Sequence, residues 1–205
     1  MEIFFTSDTH FCHDKPFLYE PRGFSCVEDM NKAIVDRWNS VIGPETIVYH
    51  LGDMCLTDTE AAIPYINRLN GKITWLRGNH CSDKRVDKIL AACPNVKLIS
   101  KNKDNAWAYV LKDGKWRFYL SHYPTKVANY DDEGSHKTWC LCGHTHTQDK
   151  WLDIKDSCYH VEMDAHNCMP VSLEQIKEDI RTMRDKDKML NTYGMPDGAP
   201  GGRFK

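Results

Sequence analysis

Short runs of β-branched and aromatic residues recur along the chain, each closed by Gly, Ser or Asn. Ile3-Phe4-Phe5-Thr6, Thr46-Ile47-Val48-Tyr49, Ile73-Thr74-Trp75-Leu76, Trp116-Arg117-Phe118-Tyr119-Leu120 and Trp139-Cys140-Leu141-Cys142 have the length and composition of strands. Longer stretches between them place apolar residues at the helical period. The pattern predicts helices over about 27 to 41, where Val27, Met30, Ile34, Val35 and Trp38 form a stripe, over about 58 to 69, and over about 83 to 92. Asp58 is placed to cap the second of these, and Pro64 to kink or shorten it. Two apolar runs on either side of Asp113-Gly114 predict a hairpin, hence a mixed sheet. A last helix is expected from Val171-Ser172 to about Lys188.

This alternation of strands and helices defines a mixed α/β protein. One domain is expected over residues 1–190, followed by a Gly- and Pro-rich tail, 191–205, whose composition favours flexibility.

The strand-like runs lead into five blocks: Asp8-Thr9-His10, Gly52-Asp53, Gly78-Asn79-His80, Ser121-His122 and Gly143-His144-Thr145-His146. Together they offer two carboxylates (Asp8, Asp53), one amide oxygen (Asn79) and four imidazoles (His10, His122, His144, His146). That donor set suits borderline and hard divalent ions, with manganese first and iron, nickel or zinc also accommodated. Ligands in layered α/β proteins gather beyond the carboxyl ends of strands, so the five loops are expected to converge on a two-metal site. Extended backbone would turn Asp8 with His10, and His144 with His146, to one side. The glycines just before the ligands allow close backbone approach.

At these residues the chain resembles the calcineurin-like metallophosphoesterase superfamily, whose signature runs D-x-H, G-D, G-N-H-[DE], H and G-H-x-H. The resemblance spans nearly all of the first 175 residues. Ser7-Asp8-Thr9-His10-Phe11-Cys12-His13, Tyr49-His50-Leu51-Gly52-Asp53 and Pro170-Val171-Ser172-Leu173-Glu174 are similar to a compact single-domain subgroup of bacteria and their viruses. The resemblance implies a four-layer α/β/β/α sandwich of two mixed sheets. It implies two divalent metal ions, the first held by Asp8, His10 and His146, the second by Asn79, His122 and His144, with Asp53 bridging both. It further implies a phosphodiesterase in which water activated between the ions attacks a nucleotide or other small phosphoester, and His80 protonates the leaving group as general acid.

The family usually has Asp or Glu after that histidine, and here Cys81 takes the place; a neutral thiol cannot charge-pair with the imidazole, so Asp83 or a distant carboxylate would have to. His13 and Arg22 are further candidates for binding substrate phosphate, Arg by paired hydrogen bonds, together with Asn79 and His80. His50 is expected to support Asp53 by a hydrogen bond, and His136, His160 and His166 to be structural. Two other readings use the same residues: a catalytically weak metal-containing scaffold or nucleotide-binding protein, and a nuclease acting on nucleic acid ends.

Composition narrows the field. A net charge of −2 supplies no broad field for a polyanion, so nucleic acid is not indicated as a partner by charge, and the Lys97/Lys101/Lys103 and Lys84/Arg85/Lys88 clusters read as solvated surface. Nine cysteines without a C-x-x-C pair and an N-terminus that starts in a strand fit reduced thiols and a cytoplasmic location. Cys140 and Cys142 read as buried strand residues rather than metal ligands. No apolar stretch is long enough to span a membrane.

Overall fold

The computed structural model describes residues 2–126, 138–151 and 157–193. His136 and most of the Gly/Pro-rich tail lie outside the described residues. The chain divides into two units, Met1–Leu173 and Glu174–Lys205.

The first unit holds two mixed sheets flanked by helices. One contains β1 (Ile3–Thr6), β2 (Ile47–His50), β3 (Lys72–Trp75), β4 (Val96–Leu98) and β9 (Val171–Ser172) in the order β4-β3-β2-β1-β9. Its first four strands run parallel, and β9 pairs antiparallel with β1. The other contains β5 (Ala108–Asp113), β6 (Trp116–Ser121), β7 (Thr138–Cys142) and β8 (Cys158–His160) in sequence order. Here β5 and β6 are the expected hairpin, while β6, β7 and β8 run parallel. The Asp113↔Trp116 register puts Gly114-Lys115 at the tip, one residue beyond the expected pair, because Gly114 takes the left-handed conformation (φ 56°) the tight turn needs.

The helical stripes fall where the pattern placed them. α1 is a single turn, Pro16–Tyr19; α2 spans Val27–Val41, α3 Thr59–Ile66 and α4 Asp83–Ala92. Asp58 caps α3 by accepting the Ala61 N–H at 3.0 Å, and Pro64 is carried inside the helix. Met30, Ile34, Val35 and Trp38 of α2 share a core with Val48, Ile73 and Trp75 of the first sheet. Fully burying each such large side chain contributes roughly 1.5–3 kcal/mol. From the other face of that sheet, Phe5 stacks on Tyr49 (5.4 Å) and Tyr49 on Tyr109 of β5 (6.4 Å), joining the two sheets. Cys140, Cys142 and Cys158 form a small buried cluster in the second sheet, as packing residues.

Val171-Ser172, expected to open the last helix, instead form the short strand β9, since their backbone pairs with Phe4 and Phe5. The helix α5 follows over Leu173–Tyr193, with Leu173, Ile176, Ile180 and Met183 recurring at intervals of three and four. Among the described residues no helix is long and apolar enough to cross a membrane.

Candidate metal centre

Because β1, β2 and β3 are parallel, the loops after them leave the same edge of the sheet and deliver Asp8, Asp53 and Asn79. The parallel pair β6 and β7 does the same for His122 and His144. Backbone hydrogen bonds stitch these loops together: Asp8 N–H to Gly52 O (3.0 Å), His10 N–H to Asp53 O (3.1 Å) and Gly143 N–H to His122 O (3.0 Å).

The loops converge by a different local geometry from the expected one. Asp8 (φ 57°), His10 (48°), Asp53 (56°), His144 (75°) and His146 (51°) are all left-handed, not extended. Each such residue costs roughly 1–2 kcal/mol in an L-amino acid, a strain that persists where surrounding structure fixes it. The glycines act as expected: a Cβ on Gly78 would collide with Asp53 Oδ1, and one on Gly143 with Ser7 Oγ and Asp8 Oδ2.

Among the described residues, two groups of donor atoms are close enough to hold an ion: Asp8, His10 and His146, and Asp8, Asp53 and His122. Asp8 Oδ2 accepts the His144 N–H at 2.9 Å, leaving Oδ1 3.6 Å from His10 Nε2 and 3.9 Å from His146 Nε2. Asp53 is divided likewise. Its Oδ1 accepts the His80 N–H (3.1 Å) and the Cys81 thiol (3.6 Å). Its Oδ2 faces His122 Nε2 at 3.4 Å and both His10 Nε2 and His80 Nε2 at 4.0 Å. Asn79 Oδ1 lies 2.7 Å from His122 Nε2 and 3.1 Å from His144 Nδ1.

Two of the histidines, His122 and His146, are held in the tautomer a metal needs. Nδ1 of His122 lies 2.9 Å from the Leu51 carbonyl and Nδ1 of His146 3.1 Å from Asp164 Oδ2. Both partners only accept, so each Nδ1 carries the proton and each Nε2 presents a lone pair to the site. His122 Nε2, Asn79 Oδ1 and Asp53 Oδ2 then confront one another as acceptors, an arrangement that only a proton or a cation between them satisfies. Asp8 Oδ1 and His10 Nδ1 are buried without a hydrogen-bond partner. An unpaired buried carboxylate oxygen is costly, and a divalent ion removes that cost. The residues therefore fit a metal.

The charges point the same way. Burial opposes ionisation of Asp8 and Asp53, yet the facing imidazoles, His10 foremost for Asp8 and His122 for Asp53, hold both carboxyls below the usual range. His122 is pushed up despite burial, by Asp53 and Asp8. Burial lowers His144 and His80, His122 adding to the first effect and His10 to the second.

Several residues take places the sequence did not foretell. Arg22 does not overhang the rim: its side chain is 1% exposed and pairs with Asp164 at 2.6 Å. Its remaining N–H groups reach Asp8 O (2.8 Å) and Thr9 O (3.3 Å), so it braces the Asp8 loop from behind. His50 bonds Thr9 Oγ1 (3.1 Å) rather than Asp53, and burial lowers its pKa to about 3. Asp83 pairs with Arg77 at 2.7 Å, leaving Asp53 as the carboxylate beside His80. Arg85, expected on the solvated surface, turns inward to the carbonyls of His80 and Leu56. His13 is buried beside the site, its ring 5.8 Å from His10. The rings of His160 and His166 bond the carbonyls of Asp149 (3.1 Å) and His160 (2.8 Å).

Two acids escaped sequence reasoning. Glu162 clamps the His144–His146 loop by accepting the N–H groups of His146 and Thr147 and the Thr145 hydroxyl, all at 2.9 Å. Asp164 orients His146. Both follow β8 in Val161-Glu162-Met163-Asp164, where acids spaced by two after an apolar run were the available signal.

Two mixed sheets with helices outside, and a cluster of imidazole and oxygen donors at their edge, make an α/β protein with a candidate metal centre. The match to the calcineurin-like phosphoesterase superfamily domain over residues 1–162 is specific, and the chain belongs to that superfamily. It is 31% identical over 197 residues to protein MJ1445 of Methanocaldococcus jannaschii, covering 93% of this chain and 96% of that one. It is 27% identical over 161 residues to the Gene 66 protein of Mycobacterium phage L5, covering 70% and 76%. Among solved structures, the protein AQ665 of Aquifex aeolicus, described as of unknown function, shares the fold with a TM-score of 0.64 and 21% identity, covering 86% of this chain and 98% of that one.

Proposed function

We propose that the protein is a dinuclear-metal-dependent phosphodiesterase acting on a nucleotide or other small phosphoester. The observation that carries this is the position of Asp53: Oδ2 faces His10 at 4.0 Å and His122 at 3.4 Å, one imidazole from each ligand set. In this reading Asp8, His10 and His146 hold one ion, Asn79, His122 and His144 the other, and Asp53 both. Manganese suits these donors first. Two bound ions supply activated water near neutral pH and polarise the phosphoryl oxygens.

The chain's own residues do the rest. Leu51 O and Asp164 fix the tautomers of His122 and His146, and Glu162 fixes the turn that carries His146. Asn79 and His80 lie on one turn, the amide toward the ions and the imidazole 4.0 Å from Asp53 Oδ2 and 39% exposed, where it can give a proton to a leaving oxygen. His13 borders the same space as a substrate contact. The commitment of Arg22 to Asp164 removes the guanidinium that would best grip a monoester dianion, which favours the singly charged diester.

Hydrolysis of bis-p-nitrophenyl phosphate with added manganese, nickel or zinc tests the reading. Turnover that depends on metal and is lost in Asp53→Asn is expected; absence of turnover on this diester with any of the three ions overturns it.

A further inference from the structure

Two exposed aromatic rings border the metal centre, and neither ligand set uses them. Phe17, on α1, is 73% exposed, whereas Phe5, Phe11 and Phe118 are wholly buried. Its ring meets His13 edge-on with centroids 5.9 Å apart, and His13 lies 5.8 Å from His10. Tyr123 is 45% exposed and stands 4.6 Å from the ring of His144 and 5.3 Å from that of His122. One ring thus lies against His13, itself beside His10, and the other adjoins His122 and His144.

Both rings are presented on braced backbone. His13 N–H bonds His10 O (3.1 Å), Lys15 N–H bonds His13 O (2.9 Å), and Pro16 opens the turn that carries Phe17. The Tyr123 carbonyl accepts from Ser121 Oγ (2.6 Å) and Thr125 Oγ1 (3.0 Å). An apolar ring held in water at the rim of a reaction site is a surface that gains by being covered. A planar π-face covers it best, and every nucleobase has one.

A phosphodiester carries a substituent on each side of its phosphorus, and here one ring neighbours His13, beside His10, while the other neighbours His122 and His144. Resting on the phosphodiesterase reading, we infer that Phe17 and Tyr123 are stacking platforms for the two bases of a dinucleoside phosphodiester whose phosphate sits at the metals. A cyclic mononucleotide would cover only one platform. The net charge of −2 provides no field for a long polyanion, which favours a dinucleotide or a short single strand over a long one.

The test uses the manganese-loaded protein hydrolysing bis-p-nitrophenyl phosphate, with adenylyl-adenosine and dimethyl phosphate, both diesters, as competing ligands. The first offers a phosphate with two bases, the second a phosphate with none. Wild type is expected to show an inhibition constant for adenylyl-adenosine about a hundredfold lower, two stacked bases at about tenfold each. Phe17→Ala and Tyr123→Ala should each shrink that ratio about tenfold, and Tyr123→Phe, which keeps the ring, should preserve it. The same ratio in wild type and both alanine variants, or equal inhibition by the two ligands in wild type, overturns the inference while leaving the phosphodiesterase reading in place. Absence of diester turnover by wild type removes both.

Discussion

The Cys81 thiol donates to Oδ1 of Asp53 across 3.6 Å, on the side of the carboxylate turned away from His10 and His122. The sulfur also accepts the Gly78 N–H at 3.2 Å, and the Cys81 carbonyl receives Arg77 Nη2 at 2.6 Å. Burial, reinforced by Asp53, pushes the thiol up to about 12, so it stays protonated and remains a donor. An acid at this position would set a second negative charge against Asp53. The cysteine instead fixes the Asp53 carboxylate by a neutral bond.

Cys81→Ala is therefore expected to weaken manganese binding about tenfold, the lower end for losing a partner of a metal ligand. Cys81→Ser, which keeps a donor, should recover most of it. Titration calorimetry measures both, and equal affinity in all three proteins would show that the bond does not orient Asp53.

Arg22 and Asp164 form a buried pair with His146 beyond it. Burial opposes the Asp164 charge, but His146 and Arg22 together lower its pKa to about 2. Asp164→Ala should cost about 10- to 100-fold in metal affinity by releasing His146. Arg22→Met should act on the fold first, leaving buried Asp164 without its guanidinium and with only the His146 N–H, at a cost of about 3–5 kcal/mol. Urea unfolding of the metal-free proteins separates the two effects.

How far these relationships were legible in the sequence depended on whether they were local. The strand runs, the α2 stripe and the ligand blocks were readable because each is set by neighbouring residues: apolar period, Gly before a ligand, Asp58 three residues ahead of Ala61. Glu162 and Asp164 were not readable, since what they hold lies 15 to 17 residues away at Thr145–Thr147, or, for Asp164, 142 residues away at Arg22. The Pro-Arg-Gly turn around Arg22 looked like rim because nothing nearby disclosed its distant carboxylate. The left-handed ligand loops were missed for a related reason, as their shape comes from hydrogen bonds between loops rather than from their own residues.

His50 gives the fold a dependence on acid. Its ring is fully buried, with Asp8, Asp53, His122 and His10 as its charged neighbours, and burial lowers its pKa from the ordinary 6.5 to about 3. Between those values the unfolded chain takes a proton at this residue and the folded one does not. Its contribution is thus fully present above pH 6.5 and is lost as pH falls toward about 3. In metal-free protein, His50→Gln should unfold with a weaker pH dependence over that window. Urea midpoints at pH 7 and pH 4.5 check this, and parallel curves for wild type and variant would exclude His50 as the source.

The role proposed for His80 makes a demand that depends on the leaving group. Its N–H anchors on Asp53 Oδ1 at 3.1 Å and Arg85 holds its carbonyl, so the turn is fixed while the imidazole stays in reach of solvent and substrate. A p-nitrophenolate departs without protonation, whereas an alkoxide such as a ribose oxygen does not. His80→Ala should therefore lower kcat by about 10²- to 10⁴-fold on a nucleoside diester and much less on bis-p-nitrophenyl phosphate. Bound manganese should be unchanged, because His80 is in neither ligand set. A ligand role would instead lower metal content and slow both substrates together. The pair of rates, read beside the metal content, distinguishes a proton donor from a lost ligand.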